Sequence, residues 1–154
     1  MAELWPDIAY DEELVDAMAA HLVRAPERFD VVVSTNMYGD ILSDLAAEIS
    51  GSLGLAASLN HSGAHAMAQA QHGSAPDIAG RGIANPASLI ASAAMLLRWI
   101  AARDNKAEFA EAAARIDQGL EQALAQPECL TPDLGGSAGT ERFVAEVCQK
   151  ISTD

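Results

Sequence analysis

Basic residues are scarce in this chain. Its 154 residues hold 9 Lys and Arg against 22 Asp and Glu, a formal charge of −13. Nucleic acid and anionic membrane both require a positive surface, so this balance opposes either as a partner. Cysteine is nearly absent. Cys129 and Cys148 lie in no metal-ligand spacing and read as reduced thiols of a cytoplasmic protein, not as a disulfide framework. Uninterrupted apolar runs are also missing. The most apolar stretch, "IANPASLIASAAMLLRWIAA", carries Pro86 and Arg98 and is rich in Ala and Ser, which suits a buried soluble helix rather than a membrane span. No basic start followed by an apolar run opens the chain, so no secretory signal is expected. Repeats and low-complexity tracts are absent.

What remains is enough for a core. Hydrophobic residues make up 50% of a chain sized for one domain, which argues against wholesale disorder. Asp11 is a fitting N-cap for a helix over "EELVDAMAAHLVRA", whose Leu14, Val15, Met18 and Leu22 recur at helical spacing, with Pro26 ending it. The β-branched run "FDVVVS" (29–34) predicts a buried strand. "TNMYG" reads as a turn, and "DILSDLAAEISGSLG" as a second helix. Residues 55–71 leave strand and loop both open. Pro86 suits N1 of a long helix to about Ala102, and two further helices follow over 106–125 and 141–151. One strand among five helices would leave its ladder groups unpaired, so either weak segments or something outside the chain must complete the sheet.

Two groups of polar residues invite a chemical reading. Asp40 and Asp44 are four apart on a predicted helix and so share a face. A cap plus a solvated aspartate accounts for them on spacing alone, while a hard cation such as Mg²⁺ would also accept them. Asp16 sits mid-helix among apolar residues, and spacing does not bring it to the other two. The second group is "HGSAPDIAGRGIANP" (72–86), whose glycines and prolines exclude regular structure. Asp77 would suit sugar hydroxyls, and Asn85 either an adenine edge or the cap of the next helix. His72 would stack on a base, bond a ribose or pin the loop. The G-x-G-x-x-G fingerprint is absent, and a plain connecting loop is the competing reading. His61 and His65, four apart, lack a third ligand of matching character.

Taken together, "FDVVVSTNMYGDILSDLAAEISGSLGL", "HGSAPDIAGRGIANPASLIASAAMLLR" and "PDLGGSAGTERF" resemble the isocitrate/isopropylmalate (β-decarboxylating) dehydrogenases, most closely the 3-isopropylmalate type. The resemblance implies an α/β fold: the helix-rich C-terminal portion of the isopropylmalate dehydrogenase-like fold, with its sheet incomplete within one chain. It implies two parts. Residues 1–56 would carry dimerisation helices, a strand and metal aspartates, and residues 57–154 the C-terminal part of a dinucleotide-binding domain. Such enzymes oxidise a 2-hydroxy acid with NAD or NADP and then decarboxylate it with help from Mg²⁺ or Mn²⁺. Carried over by position, the metal ligands are Asp16, Asp40 and Asp44, the first reaching into a partner's site across a dimer. The adenosine-binding residues are His72, Gly73, Ser74, Ala75, Asp77 and Asn85. Asp77 followed by Ile78 resembles the NAD-preferring form.

Departures from the family pattern are as informative. The segments that carry the family's substrate-binding arginines, catalytic tyrosine and catalytic lysine have no counterpart here, so no catalytic residue is assigned. Where the family reads Phe-Glu-Pro-Val-His-Gly, this chain has "AQAQHG" (68–73), with Gln69 and Ala70 in place of Glu and Pro. The adenosine side of the cofactor site is retained and the nicotinamide side altered. The expectation is a chain inactive alone, with a residual NAD and Mg/Mn site, forming a homodimer or higher oligomer. Two alternatives stand beside it: a half-enzyme complemented by a separate N-terminal chain, and a non-catalytic dimerisation or regulatory module that binds a full-length relative.

Overall fold

The computed structural model describes residues 5–152. The chain divides into two compact units, residues 1–49 and 50–154.

The first unit contains α1 (Val15–Arg24) and α2 (Asn36–Ile49). Helix α1 begins later than Asp11 would place it. Leu14 occupies the N-cap position without a side-chain cap bond, and the Asp11 carboxylate instead accepts from the Glu12 backbone N–H at 2.8 Å. Helix α2 begins earlier than expected, at Asn36, and the Gly39 N–H donates to the Thr35 carbonyl at 2.8 Å. The predicted turn "TNMYG" is therefore largely the first helical turn. The predicted strand at 29–34 does not form, and residues 31–35 have no regular structure. A strand requires a neighbour to satisfy its ladder, and β-branched propensity alone does not supply one. Val31 and Val33 are consequently 79% and 90% exposed. Leu22, Leu42 and Ala47 are the buried residues of this unit, too few to make a core of their own.

The second unit holds a hairpin and three helices. Strands β1 (Ala57–His61) and β2 (Ala66–Ala70) pair antiparallel, with Ala57 opposite Ala70 and His61 opposite Ala66. They form the one sheet of the described residues. Helix α3 (Ala87–Asp104) packs on this hairpin and on α4 (Ala107–Leu124), which packs in turn on α5 (Thr140–Ser152). Two fully buried serines fix the helix to the hairpin. Ser88 donates to the Ala56 carbonyl. Ser92 Oγ accepts from the Ser58 N–H at 3.1 Å and faces the Gln69 carbonyl at 2.8 Å. Small hydroxyl residues one turn apart let the helix approach closely while satisfying strand-edge groups that would otherwise be buried unpaired.

The remaining boundaries follow local chemistry. Asn105, in the left-handed region at φ +52°, ends α3, and the Lys106 N–H returns to the Ala101 carbonyl at 3.1 Å. Pro127 follows α4 and prevents its continuation. Ala87, Leu120, Ala123, Phe143 and Val147 form the core between α3, α4 and α5. Helix α3 is largely covered, as its apolar stretch predicts. The hairpin and α4 cover it, and Leu89 is its one large apolar side chain exposed by half or more. Apart from Met67, Leu89 and Val144, every exposed large apolar side chain of the described residues lies in the first unit.

Candidate functional site

The loop 72–86 is built in two parts. Its first part, 72–81, folds on itself. The Ile78 N–H donates to the Ala75 carbonyl and the Arg81 N–H to the Ile78 carbonyl, each at 3.1 Å, giving two successive tight turns. Ala75 takes a left-handed backbone at φ +40°, which costs a non-glycine residue about 1–3 kcal/mol. Gly80 and Gly82 enter the same region at φ +74° and +63°, where the absent Cβ removes that cost. His72 Nδ1 lies 2.9 Å from the Gly73 carbonyl. A carbonyl only accepts, so this nitrogen carries the proton and Nε2 keeps a free lone pair in the neutral ring. His72, Gly73, Ser74, Ala75 and Asp77 are all exposed.

The second part, 82–85, is tied to the segment that follows α4. The Thr140 N–H donates to the Gly82 carbonyl at 2.8 Å, and its hydroxyl to the Ala84 carbonyl at 2.6 Å. Pro86 holds the N-cap position of α3, one place before the N1 expected of it, and the preceding Asn85 closes the helix start, its Oδ1 accepting from the Ala87 N–H at 2.9 Å. The amide nitrogen of Asn85 donates to Asp133 Oδ2, also at 2.9 Å. The Asn85 side chain is thus engaged at both ends, at the start of α3 and at Asp133.

Asp133, in the "PDLGGSAGTERF" motif but assigned no role from the sequence, is the centre of this network. It accepts from Asn85, from the Ser52 hydroxyl at 2.8 Å and from the Thr131 hydroxyl at 2.6 Å. Burial pushes its carboxyl up, but the bonds from Thr131, Asn85 and Ser52 outweigh that and hold it below the usual carboxylate range. The network draws together three stretches of chain, around residues 52, 85 and 131–133. The one signal available in the sequence was a short acidic side chain two positions after a threonine in "TPDLGG".

The predicted metal ligands lie in the first unit. Asp40 and Asp44 are one turn apart on α2 and both exposed. Asp16 is in the first turn of α1, with its carboxylate accepting from the Ala17 N–H at 2.9 Å. Among the described residues, no group of three or more His, Cys, Asp or Glu side chains is arranged to hold a metal ion. Among the described residues, Asp40 and Asp44 are thus a pair of carboxylates of a chemistry that suits a hard cation, with no third such side chain grouped with them. Two open clefts of the second unit include none of the predicted site residues. One of them, of about 490 Å³, is lined by His61, Ser62, Gly63, Trp99, Ala102 and Arg103. His61 and His65 form no metal group either.

The sequence profile of the isocitrate/isopropylmalate dehydrogenases matches residues 1–150. The chain belongs to that family. It is 45% identical to an isocitrate/homoisocitrate dehydrogenase of Thermus thermophilus over 99% of its length and 43% of the relative's. A 3-isopropylmalate/3-methylmalate dehydrogenase of Methanocaldococcus jannaschii is 43% identical over 98% of this chain and 43% of its own. The crystal structure of isocitrate dehydrogenase from Methylococcus capsulatus superposes with a TM-score of 0.87 at 41% identity, covering 97% of this chain and 43% of that one. The chain therefore spans less than half the length of these relatives. Its fold is the helix-rich, C-terminal portion of the isopropylmalate dehydrogenase-like α/β architecture, with a sheet of two strands in place of a complete one. Among the described residues, no helix is long and apolar enough to cross a membrane.

Proposed function

We propose that this chain is the portion of a β-decarboxylating dehydrogenase that binds the adenosine half of NAD and supplies metal carboxylates, and that it does not turn over substrate alone. The observation that carries the reading is the construction of loop 72–86: a polar arm exposed to solvent, standing on a base fixed by Asn85, Asp133 and Thr140. Such a loop is pre-organised before any ligand arrives, which lowers the ordering cost of binding. Asp77, exposed at the turn, takes the ribose hydroxyls, and His72 offers Nε2 as an acceptor. Gln69 and Ala70 weaken the nicotinamide side, so affinity comes from the adenosine.

Mg²⁺ or Mn²⁺ would polarise the substrate oxygen and stabilise the enolate left by CO₂ loss. Asp40 and Asp44 would hold it, together with Asp16 from a second copy of the chain. This requires a homodimer or higher oligomer, and the exposed apolar residues of the first unit support one. The intact activity, NAD-dependent oxidative decarboxylation of a 2-hydroxy acid of the 3-isopropylmalate type in the cytoplasmic route to leucine, would need the substrate arginines, tyrosine and lysine that this chain does not match.

A second reading is favoured by a specific observation. The run Val31–Val33 is solvent-exposed and pairs with no strand among the described residues, as expected of a half-enzyme that completes its sheet with a separate N-terminal chain. A non-catalytic module that binds a full-length relative would use the same surface. Thermal unfolding with and without NAD tests the first reading. The midpoint rises for the wild type and stays fixed for Asp77→Ala; an unchanged wild-type midpoint removes the nucleotide claim.

A further inference from the structure

We propose that Asp133 is a positioning residue for the nucleotide site, acting through Asn85. The proposal deepens the adenosine-binding reading above and rests on it.

The argument begins with the two ends of one amide. Asn85 Oδ1 faces a backbone donor, the Ala87 N–H, and its Nδ2 faces an acceptor, Asp133 Oδ2, each at 2.9 Å. A flipped amide would set an oxygen against a carboxylate and an NH₂ group against an N–H. Both contacts would then be repulsive, so the orientation of Asn85 is fixed. A cap alone would not achieve this. Without Asp133, the nitrogen end would have solvent as its alternative partner, and rotation about the terminal torsion is soft.

Asp133 is itself held for the purpose. Its Oδ1 takes the Thr131 hydroxyl and its Oδ2 the Ser52 hydroxyl, so neither oxygen is free to swing away from Asn85. Ser52 is steadied in turn by the Gly54 N–H at 3.0 Å. Gly54 shows how closely the parts meet: a Cβ there would lie 2.8 Å from Asp133 Oδ2 and 3.0 Å from Asn85 Nδ2. All the donors named are neutral, so the carboxylate keeps its full charge, and its bond to Asn85 is of the stronger, charge-assisted kind. The consequence runs to the loop. Asn85 is the last fixed residue of the 82–85 base, and a misplaced base displaces the arm that carries Asp77.

A double-mutant cycle with a spectroscopic readout tests this. NAD is titrated into the wild type, Asp133→Leu, Asn85→Ser and the double variant, and the Asn85 side-chain NH₂ signals of the wild type and Asp133→Leu are followed by ¹H–¹⁵N correlation. Asn85→Ser retains a side-chain oxygen beside the Ala87 N–H and removes the Asp133 bond, so it probes the same link even if Asp133→Leu folds poorly. Each single variant is expected to weaken NAD about tenfold, and the double variant no further, because one link is lost in every case. In Asp133→Leu, which keeps the size and has no acceptor, the Asn85 signals should move to the positions of a solvated amide, a change that general loosening elsewhere in the fold would not single out. Wild-type affinity in both single variants, additive losses in the double variant, or unmoved Asn85 signals would each overturn the proposal. If the wild type itself gives no saturable heat with NAD, the nucleotide reading fails and this proposal falls with it. Binding by the wild type with equal binding by the variants sinks the positioning role alone.

Discussion

Thr140 donates its hydroxyl to the carbonyl of Ala84 at 2.6 Å, joining the first turn of α5 to the end of the 72–86 loop across 56 positions of sequence. Two motifs that stand far apart in the chain, "PDLGGSAGT" and "HGSAPDIAGRGIANP", are thus parts of one structure. Thr140→Val keeps the shape and removes the donor. It should lower stability by about 1 kcal/mol and weaken NAD binding, read by denaturant unfolding and by titration. An unaltered affinity would separate the tail motif from the site.

Ala75 holds a left-handed backbone at φ +40° in the exposed arm of the loop. Relief of that strain predicts that Ala75→Gly raises stability by up to about 1 kcal/mol, against the loss usual for an alanine replaced by glycine. Chemical denaturation of the two proteins measures the difference. A loss of about 1 kcal/mol would mean that the arm is not strained.

Ser92 is fully buried between α3 and the hairpin, with the Ser58 N–H and the Gln69 carbonyl as partners. Ser92→Ala leaves both strand groups without it and should cost about 1–3 kcal/mol. Amide exchange would show the loss at Ser58 first. Uniform exchange along the hairpin would contradict the serine's role as its anchor.

Asp133 carries the pH dependence of the site. Its carboxyl is held below the ordinary value, so the stability it contributes is present above that value and is lost as pH falls through the lowered one. Stability should therefore fall below about pH 4 in the wild type, and by less in Asp133→Asn. Acid titrations that superpose for the two proteins would remove Asp133 from the account.

How far this was legible beforehand varied along the chain, for physical reasons. Helices α3, α4 and α5 follow from apolar spacing, Pro86, Pro127 and the absence of breakers between. The hairpin is not legible in "AHAMAQA", which has no β-branched residue; its strand character comes from docking onto Ser88 and Ser92, which is tertiary information. "FDVVVS" failed in the opposite sense, having the residues of a strand and no neighbour to pair with. Asp133 gives no signal of its own in the sequence, because an aspartate after proline is an ordinary turn former and only the folded chain brings Ser52 and Asn85 to it. The aspartates at 16, 40 and 44 were found by resemblance, and local spacing gives no more than the Asp40–Asp44 pair.

That exposed run yields a prediction of its own. Val33 is 90% exposed, so Val33→Lys should change the stability of the chain by no more than about 0.5 kcal/mol. If the run pairs with a separate N-terminal chain, the same substitution should prevent co-purification of the two. Co-purification that survives the lysine would place the partner elsewhere.

The most direct test of the central claim is calorimetric titration of the purified chain with NAD, with and without Mn²⁺, beside Asp77→Ala. The account predicts saturable heat for the wild type and none for Asp77→Ala. No heat from the wild type under either condition would contradict it, and the loop would then be a shape kept without its ligand.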